Sequence, residues 1–289
     1  MNRHISIFCA LLACTSMLAL TPTYTLPLYP NGVPDSNGYN PEDEYIKDGT
    51  RIYRTAVPRL DVYLPNAADA AATPAVLVCP GGGYQFTSTG NEGIEVANYF
   101  VPRGYAIAVL KYRMPNGHEH IPLSDALQAM RLLRDSAAVW HLKAQHIGVM
   151  GFSAGGHLAA TLLTKYADAK TRPDFGVLVY PVITMDETLT HRGSCRSLLG
   201  ENPTLDQRLN WSAERNVTSD TPPCIIVVCQ DDPTVKVDNS LLFYQALTNQ
   251  NVPATLIVVP EGKHGWGYRR QFRDREIIDQ AILSFVAEH

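Results

Sequence analysis

Gly151-Phe152-Ser153-Ala154-Gly155-Gly156 decides how this chain folds, together with the Ile147-Gly148-Val149-Met150 run before it and the His157-Leu158-Ala159-Ala160-Thr161-Leu162-Leu163 run after it. The apolar run reads as a short buried strand ending at Met150, and the small, helix-prone run as a helix starting at Ser153. Between them the chain turns sharply. Glycines two residues either side of Ser153 make room for the turn, because a side chain at 151 or 155 would strike the neighbouring strand or helix. A serine at such an apex shows its hydroxyl at the carboxyl edge of a sheet, beside the unpaired N–H groups of a helix N-terminus. This is the nucleophile-elbow pattern. Gly-x-Ser-x-Gly also describes a plain tight turn, so the rest of the chain has to supply a base, an orienting acid and oxyanion donors.

Working outward, short apolar runs at 75–79, 106–110, 147–150, 177–180, 224–229 and 254–259 read as buried parallel strands. Residues 51–64 alternate as one or two strands that Pro58 breaks or bends. A helix is expected between Leu123 and Trp140, its start marked by Pro122 and Ser124 and its buried face by Ala126, Met130, Leu133 and Ala137. Residues 93–101, 239–250 and 274–287 are read as further helices, and 25–50 as an irregular arm. The alternation predicts a mostly parallel sheet covered on both faces, with its site at the carboxyl ends of the strands. Residues 181–222 break the rhythm and read as a polar, helix-poor insertion that forms a lid or pocket wall.

Each missing catalytic part has a candidate at the end of a different predicted strand. After Cys79 comes Pro80-Gly81-Gly82-Gly83-Tyr84, whose glycines let backbone N–H groups approach a substrate. The oxyanion donors are assigned to Gly82 or Gly83 and to Ala154, the residue after the serine. After Cys229 comes Gln230-Asp231-Asp232-Pro233, in which Asp232 is the expected acid and Asp231 its alternative. After residue 259 comes Pro260-Glu261-Gly262-Lys263-His264-Gly265-Trp266, in which His264 is the expected base. Tyr84, Phe152 and Trp266 are candidates to crowd the acyl side, and His191 to line the pocket. His157 is expected to pack in the elbow helix. His118 and His120 flank Glu119 without an evident third ligand, so no metal is assigned.

With 289 residues, 45% of them hydrophobic and 18% charged, the chain has an ordinary globular composition, and neither repeats nor a linker divide it. A net charge of -4 argues against nucleic acid as a partner. Met1-Asn2-Arg3-His4 followed by the apolar stretch 5–20 reads as a signal peptide over 1–24, leaving one domain at 25–289 and implying export. Leu11-Leu12-Ala13-Cys14 also resembles a lipoprotein box, so membrane attachment is expected only through lipid on Cys14. Apart from Cys9 and Cys14 four cysteines remain, of which Cys79, Cys224 and Cys229 are expected to be buried free thiols, with Cys195 the fourth.

Several motifs recur together: Pro-Gly-Gly-Gly-Tyr at 80–84, Leu-Lys-Tyr-Arg at 110–113, Pro-Leu-Ser-Asp-Ala at 122–126, Gly-Phe-Ser-Ala-Gly-Gly-His-Leu-Ala at 151–159, Leu-Leu-Gly at 198–200, Thr-Pro-Pro at 221–223 and His-Gly-Trp-Gly at 264–267. The set resembles the secreted bacterial α/β-hydrolase esterases of the acetyl xylan esterase type, over roughly residues 50–285. The resemblance implies the α/β-hydrolase fold, deacetylation of acetylated plant polysaccharide or oligosaccharide through an acetyl-enzyme on Ser153, and no metal or organic cofactor. Relatives of this type include peptidases and general carboxylesterases. A small-ester carboxylesterase or exopeptidase therefore stays open, as does a non-catalytic glycan-binding protein on the same fold.

Overall fold

The computed structural model describes residues 20–66, 72–269 and 271–289. Residues 1–19 of the expected signal peptide over 1–24, Cys14 among them, lie outside the described residues. The strands are β1 (Tyr24–Pro27), β2 (Tyr45–Lys47), β3 (Arg51–Tyr53), β4 (Arg59–Tyr63), β5 (Thr73–Cys79), β6 (Phe86–Ser88), β7 (Ala106–Lys111), β8 (Leu142–Phe152), β9 (Gly176–Val179), β10 (Cys224–Cys229) and β11 (Ala254–Val259). The helices are α1 (Glu95–Phe100), α2 (His120–Ser136), α3 (Ser153–Thr164), α4 (Arg192–Leu199), α5 (Leu205–Asn210), α6 (Asp238–Asn249) and α7 (Arg275–Glu288).

Eight strands form the central sheet in the order β1-β4-β7-β5-β8-β9-β10-β11, parallel from β7 to β11, with β1 and β4 antiparallel at one edge. This is the α/β-hydrolase architecture. Alternate residues along each buried strand face opposite layers. Leu77, Leu133, Leu158, Leu162 and Phe243 share one core with α2, α3 and α6, while Val76, Val78, Phe100, Ile278 and Ile282 share the other with α1 and α7. Burial on both faces explains the unbroken apolar runs.

Register sets the site. Cys79 lies opposite Gly151, Phe152 opposite Val179 and Cys229 opposite Val259. The loops that follow β5, β8, β9, β10 and β11 therefore emerge along one edge, as expected for a parallel sheet.

Several elements differ from the sequence reading. The stretch 25–50 is not wholly irregular: β1 pairs with β4, β2 pairs with β3, and Tyr24 stacks on Trp140 at 5.5 Å. Cross-strand pairing supplied order that a Pro- and Gly-rich composition hid. Helix α2 begins at His120 and places Pro122 inside its first turn, where a missing N–H breaks no intrahelical bond. The insertion 181–222 is not helix-poor, because it carries α4, α5 and a 3-10 turn at Ala213–Asn216. Its helices are too short for periodicity to stand out, and their ends are set by side-chain caps at His191 and Thr204.

A buried ion pair braces the start of α2 against the end of β7. Arg113 and Asp125 have no exposed side-chain surface and meet at 2.7 Å, and Asp125 also accepts the Arg113 backbone N–H at 2.8 Å.

Candidate active site

Strand β8 runs through Phe152, two residues beyond Met150, and α3 starts at Ser153 without an intervening loop. Ser153 takes φ +53°, a left-handed conformation that costs a non-glycine residue on the order of 1–3 kcal/mol. Its surroundings hold it there. A Cβ at Gly151 would collide with the Gly155 carbonyl and Ala159, and one at Gly155 would collide with the carbonyls of Cys79 and Pro80. The two glycines thus let α3 settle onto the ends of β5 and β8.

Three side chains, one from the elbow and two from loops, form one hydrogen-bonded line. Ser153 Oγ lies 2.8 Å from His264 Nε2, and His264 Nδ1 lies 2.6 Å from Asp232 Oδ2. The Asp232 carboxylate is fully buried, and its Oδ1 accepts the N–H groups of Thr234 at 2.8 Å and Val235 at 2.9 Å. Those bonds fix the carboxylate's orientation and leave Oδ2 for the imidazole, which gives Nδ1–H donating to Asp232 and an unprotonated Nε2 accepting from the serine hydroxyl. Asp231 points elsewhere: its Oδ1 accepts the N–H groups of Gly262 at 2.9 Å and Lys263 at 2.8 Å, tying the acid loop to the histidine loop.

The glycine loop lies beside this line, since a Cβ on Gly81 would sit 2.9 Å from Ser153 Cβ. Gly82 (φ +135°) and Gly83 (φ +64°) take conformations that favour glycine, and the Gly82 carbonyl accepts Gln85 N–H at 3.0 Å, closing the turn. Neither Gly82 nor Gly83 donates its N–H to an acceptor among the described residues, and Ala154, second in α3, has no intrahelical acceptor. The three candidate donors are thus free to meet an oxyanion.

The substrate-lining candidates separate. Phe152 has no exposed surface and packs in the core near Tyr180, at 6.0 Å between ring centroids, so it does not crowd an acyl group. As the last residue of the buried strand it points away from the edge at which Ser153 emerges. Tyr84 is also buried; its hydroxyl bonds His157 Nδ1 at 2.9 Å and its ring meets Tyr112 edge-on, so it braces the glycine loop instead of filling the acyl side. Trp266, stacked on Phe272 at 4.4 Å, lines with His264, Lys263 and Arg269 an open cleft of about 540 Å³. His191 caps α4 through Ser194, and its Cε1 lies 3.8 Å from where a Gly83 Cβ would stand, so the insertion walls the glycine loop. His120 faces Asp35 at 3.8 Å, and among the described residues no three potential ligands gather to hold a metal.

His157 is wholly buried. Its Nε2 lies 2.7 Å from the Trp211 carbonyl, so Nε2–H donates there and Nδ1 accepts from Tyr84. Burial pushes its pKa down to about 4, so it is neutral at pH 7. The four cysteines 79, 195, 224 and 229 are buried and free, and burial pushes the Cys229 thiol up to about 12. Two residues around the site escaped sequence reasoning, Glu92 and Tyr180. Neither belongs to a recognisable motif, and only tertiary packing brings them together.

The chain is 38% identical over 216 residues to an acetylxylan esterase of Xylanibacter ruminicola, a match covering 73% of this chain and 45% of that protein. It is 35% identical over 258 residues to endo-1,4-beta-xylanase B of Butyrivibrio fibrisolvens, covering 84% of this chain and 39% of that protein. The chain thus spans less than half the length of these two curated relatives. The crystal structure of an acetyl ester-xyloside bifunctional hydrolase from Caldicellulosiruptor lactoaceticus superposes with a TM-score of 0.77 at 33% identity, covering 92% of this chain and 97% of that one. The BD-FAE family model matches residues 60–247, well over half of the sequence, and the protein belongs to the BD-FAE family of α/β hydrolases.

Proposed function

We propose that this protein is a serine esterase that removes acetyl groups from xylan or xylo-oligosaccharides. The observation that carries the chemistry is the unbroken line from Asp232 through His264 to Ser153 at the strained elbow. Ser153 Oγ attacks the acetyl carbonyl while its proton passes to His264 Nε2, and Asp232 stabilises the imidazolium through Nδ1–H. The N–H groups of Ala154 and of Gly82 or Gly83 receive the charge that develops on the carbonyl oxygen. On collapse, Nε2 returns the proton to the sugar oxygen as the C–O bond breaks, leaving an acetyl-enzyme. Water then repeats the sequence and acetate leaves. No step needs a metal or organic cofactor.

Similarity to the acetylxylan esterase and the xylanase supports the substrate class. The apolar stretch at the start of the chain supports export. Acetate release should be measured on acetylated xylan and acetylated xylo-oligosaccharides, and release of the nitrophenol or aniline on 4-nitrophenyl acetate, 4-nitrophenyl butyrate and an aminoacyl anilide, with Ser153→Ala as control. The acetylated glycans are expected to be turned over best, with nothing left in the control. Efficient cleavage of the anilide, or of the aryl esters alone, refutes the substrate class.

A further inference from the structure

One turn of the chain touches both loops that the reaction needs. Residues Gly90–Ile94 form a single wide helical turn leading into α1, and Glu92 within it is 4% exposed. Glu92 Oε2 accepts the N–H of Gly81 at 2.7 Å, directly before the proposed oxyanion glycines. Its Oε1 accepts the hydroxyl of Tyr180 at 2.7 Å. That same hydroxyl accepts the N–H of Gly267 at 2.8 Å, and the Tyr180 ring lies 4.7 Å from the His264 ring between centroids. The neighbouring Asn91 donates from Nδ2 to the Gly265 carbonyl at 3.1 Å and accepts Tyr268 N–H on its own carbonyl.

We propose that Glu92 is a positioning residue, which locks the glycine loop and the histidine loop to a common strut so that the oxyanion donors and His264 stay aligned on Ser153. The inference rests on reading Ser153 as nucleophile and His264 as base. Its chemistry is particular. As placed, both partners donate to Glu92, and the ionised carboxylate takes both bonds while the Tyr180 hydroxyl goes on accepting the Gly267 N–H. Yet Glu92 makes no salt bridge among the described residues, and a buried carboxylate without a paired cation is costly to the fold. Burial pushes its pKa up. The bonds from Tyr180 and Gly81 and the nearby His264 and Arg269 pull the other way. A group that the fold would more cheaply replace by a neutral one is here spanning the two halves of a reaction site. Protonation would put a donor against the Tyr180 hydroxyl, which accepts it only by turning its own buried proton away from Glu92, and that rearranges the strut.

The test is steady-state hydrolysis of 4-nitrophenyl acetate by the full chain, from about pH 5 to about pH 9, for wild type, Glu92→Gln, Glu92→Asp, Tyr180→Phe and the Glu92→Gln/Tyr180→Phe double variant. Circular dichroism establishes that each is folded. Glu92→Gln is expected to lose about 10- to 100-fold in kcat with KM little changed, somewhat less than direct loss of an oxyanion donor. Aspartate keeps the charge but falls a methylene short of bridging both donors, so it should not restore kcat. The double variant should be no worse than the poorer single one, because both break the same strut. Wild-type kcat in folded Glu92→Gln, a loss confined to KM, full activity in Glu92→Asp, or additive losses in the double variant would each overturn the inference. Ser153→Ala runs in the same assay: if it stays active, the reading of the site itself fails. If wild type cleaves the aryl ester but not acetylated xylan, only the substrate class falls.

Discussion

His157 should make the protein's stability depend on pH in a predictable window. Buried between Tyr84 and the Trp211 carbonyl, it accepts one hydrogen bond on Nδ1 and donates one from Nε2. A second proton would reverse the bond to the Tyr84 hydroxyl and place a charge in the core. Its pKa falls from 6.5 in the unfolded chain to about 4 in the folded one. The unfolded state therefore takes up a proton first as pH falls, and stability present above pH 6.5 is lost on the way down to about 4. At 1.36 kcal/mol per pH unit, the loss is about 2 kcal/mol by pH 5 and about 3 kcal/mol by pH 4. Urea unfolding at pH 7.5, 6, 5 and 4 on wild type and His157→Gln isolates it, because the variant carries every other titrating group. The gap between the two stabilities should narrow or invert by about 2 kcal/mol between pH 7.5 and pH 5. Parallel pH dependences would refute the assignment of a neutral, depressed His157.

Asp232→Asn should cost about 10⁴-fold in kcat, because the amide favours the wrong imidazole tautomer, whereas Asp231→Asn should lose far less activity since it only weakens the tie to Gly262 and Lys263. Aryl acetate kinetics on both variants decides, and a larger loss at Asp231 would reverse the assignment. Asp125→Ala strands the wholly buried Arg113 guanidinium and should lower unfolding free energy by about 3–5 kcal/mol in urea titrations. A loss below about 1 kcal/mol would mean the pair is solvated in the folded protein.

The strands, the elbow and the three loops that meet on it were legible because each leaves a local mark. Buried parallel strands need apolar runs, a serine at φ +53° needs small neighbours, and an acid or base on a loop after a strand needs only chain order. Asp231 and Asp232 are adjacent on one loop, and chain order alone does not separate them. The structure does: Thr234 and Val235 N–H groups pin one carboxylate oxygen of Asp232 and aim the other at His264. The unreadable parts are those decided by direction in space. Phe152 and Tyr84 sit next to site residues in sequence, but one ends a buried strand and the other turns inward to His157. The edge strand β1 exists only because β4 is there to pair with it. Glu92 and Tyr180 are 88 residues apart and carry no motif.

Ser153 and His264 are 111 residues apart, and His264 follows the last strand of the sheet. A growing or refolding chain can therefore bury most of its core, with β5, β8 and the elbow in place, before the imidazole arrives. Among the described residues His264 Nε2 is the partner of the Ser153 hydroxyl, so a chain without it has no base at the elbow. The proposed chemistry therefore requires β11 and the loop after it to be docked beside the elbow, so that the site is complete only when the far end of the sheet is in place.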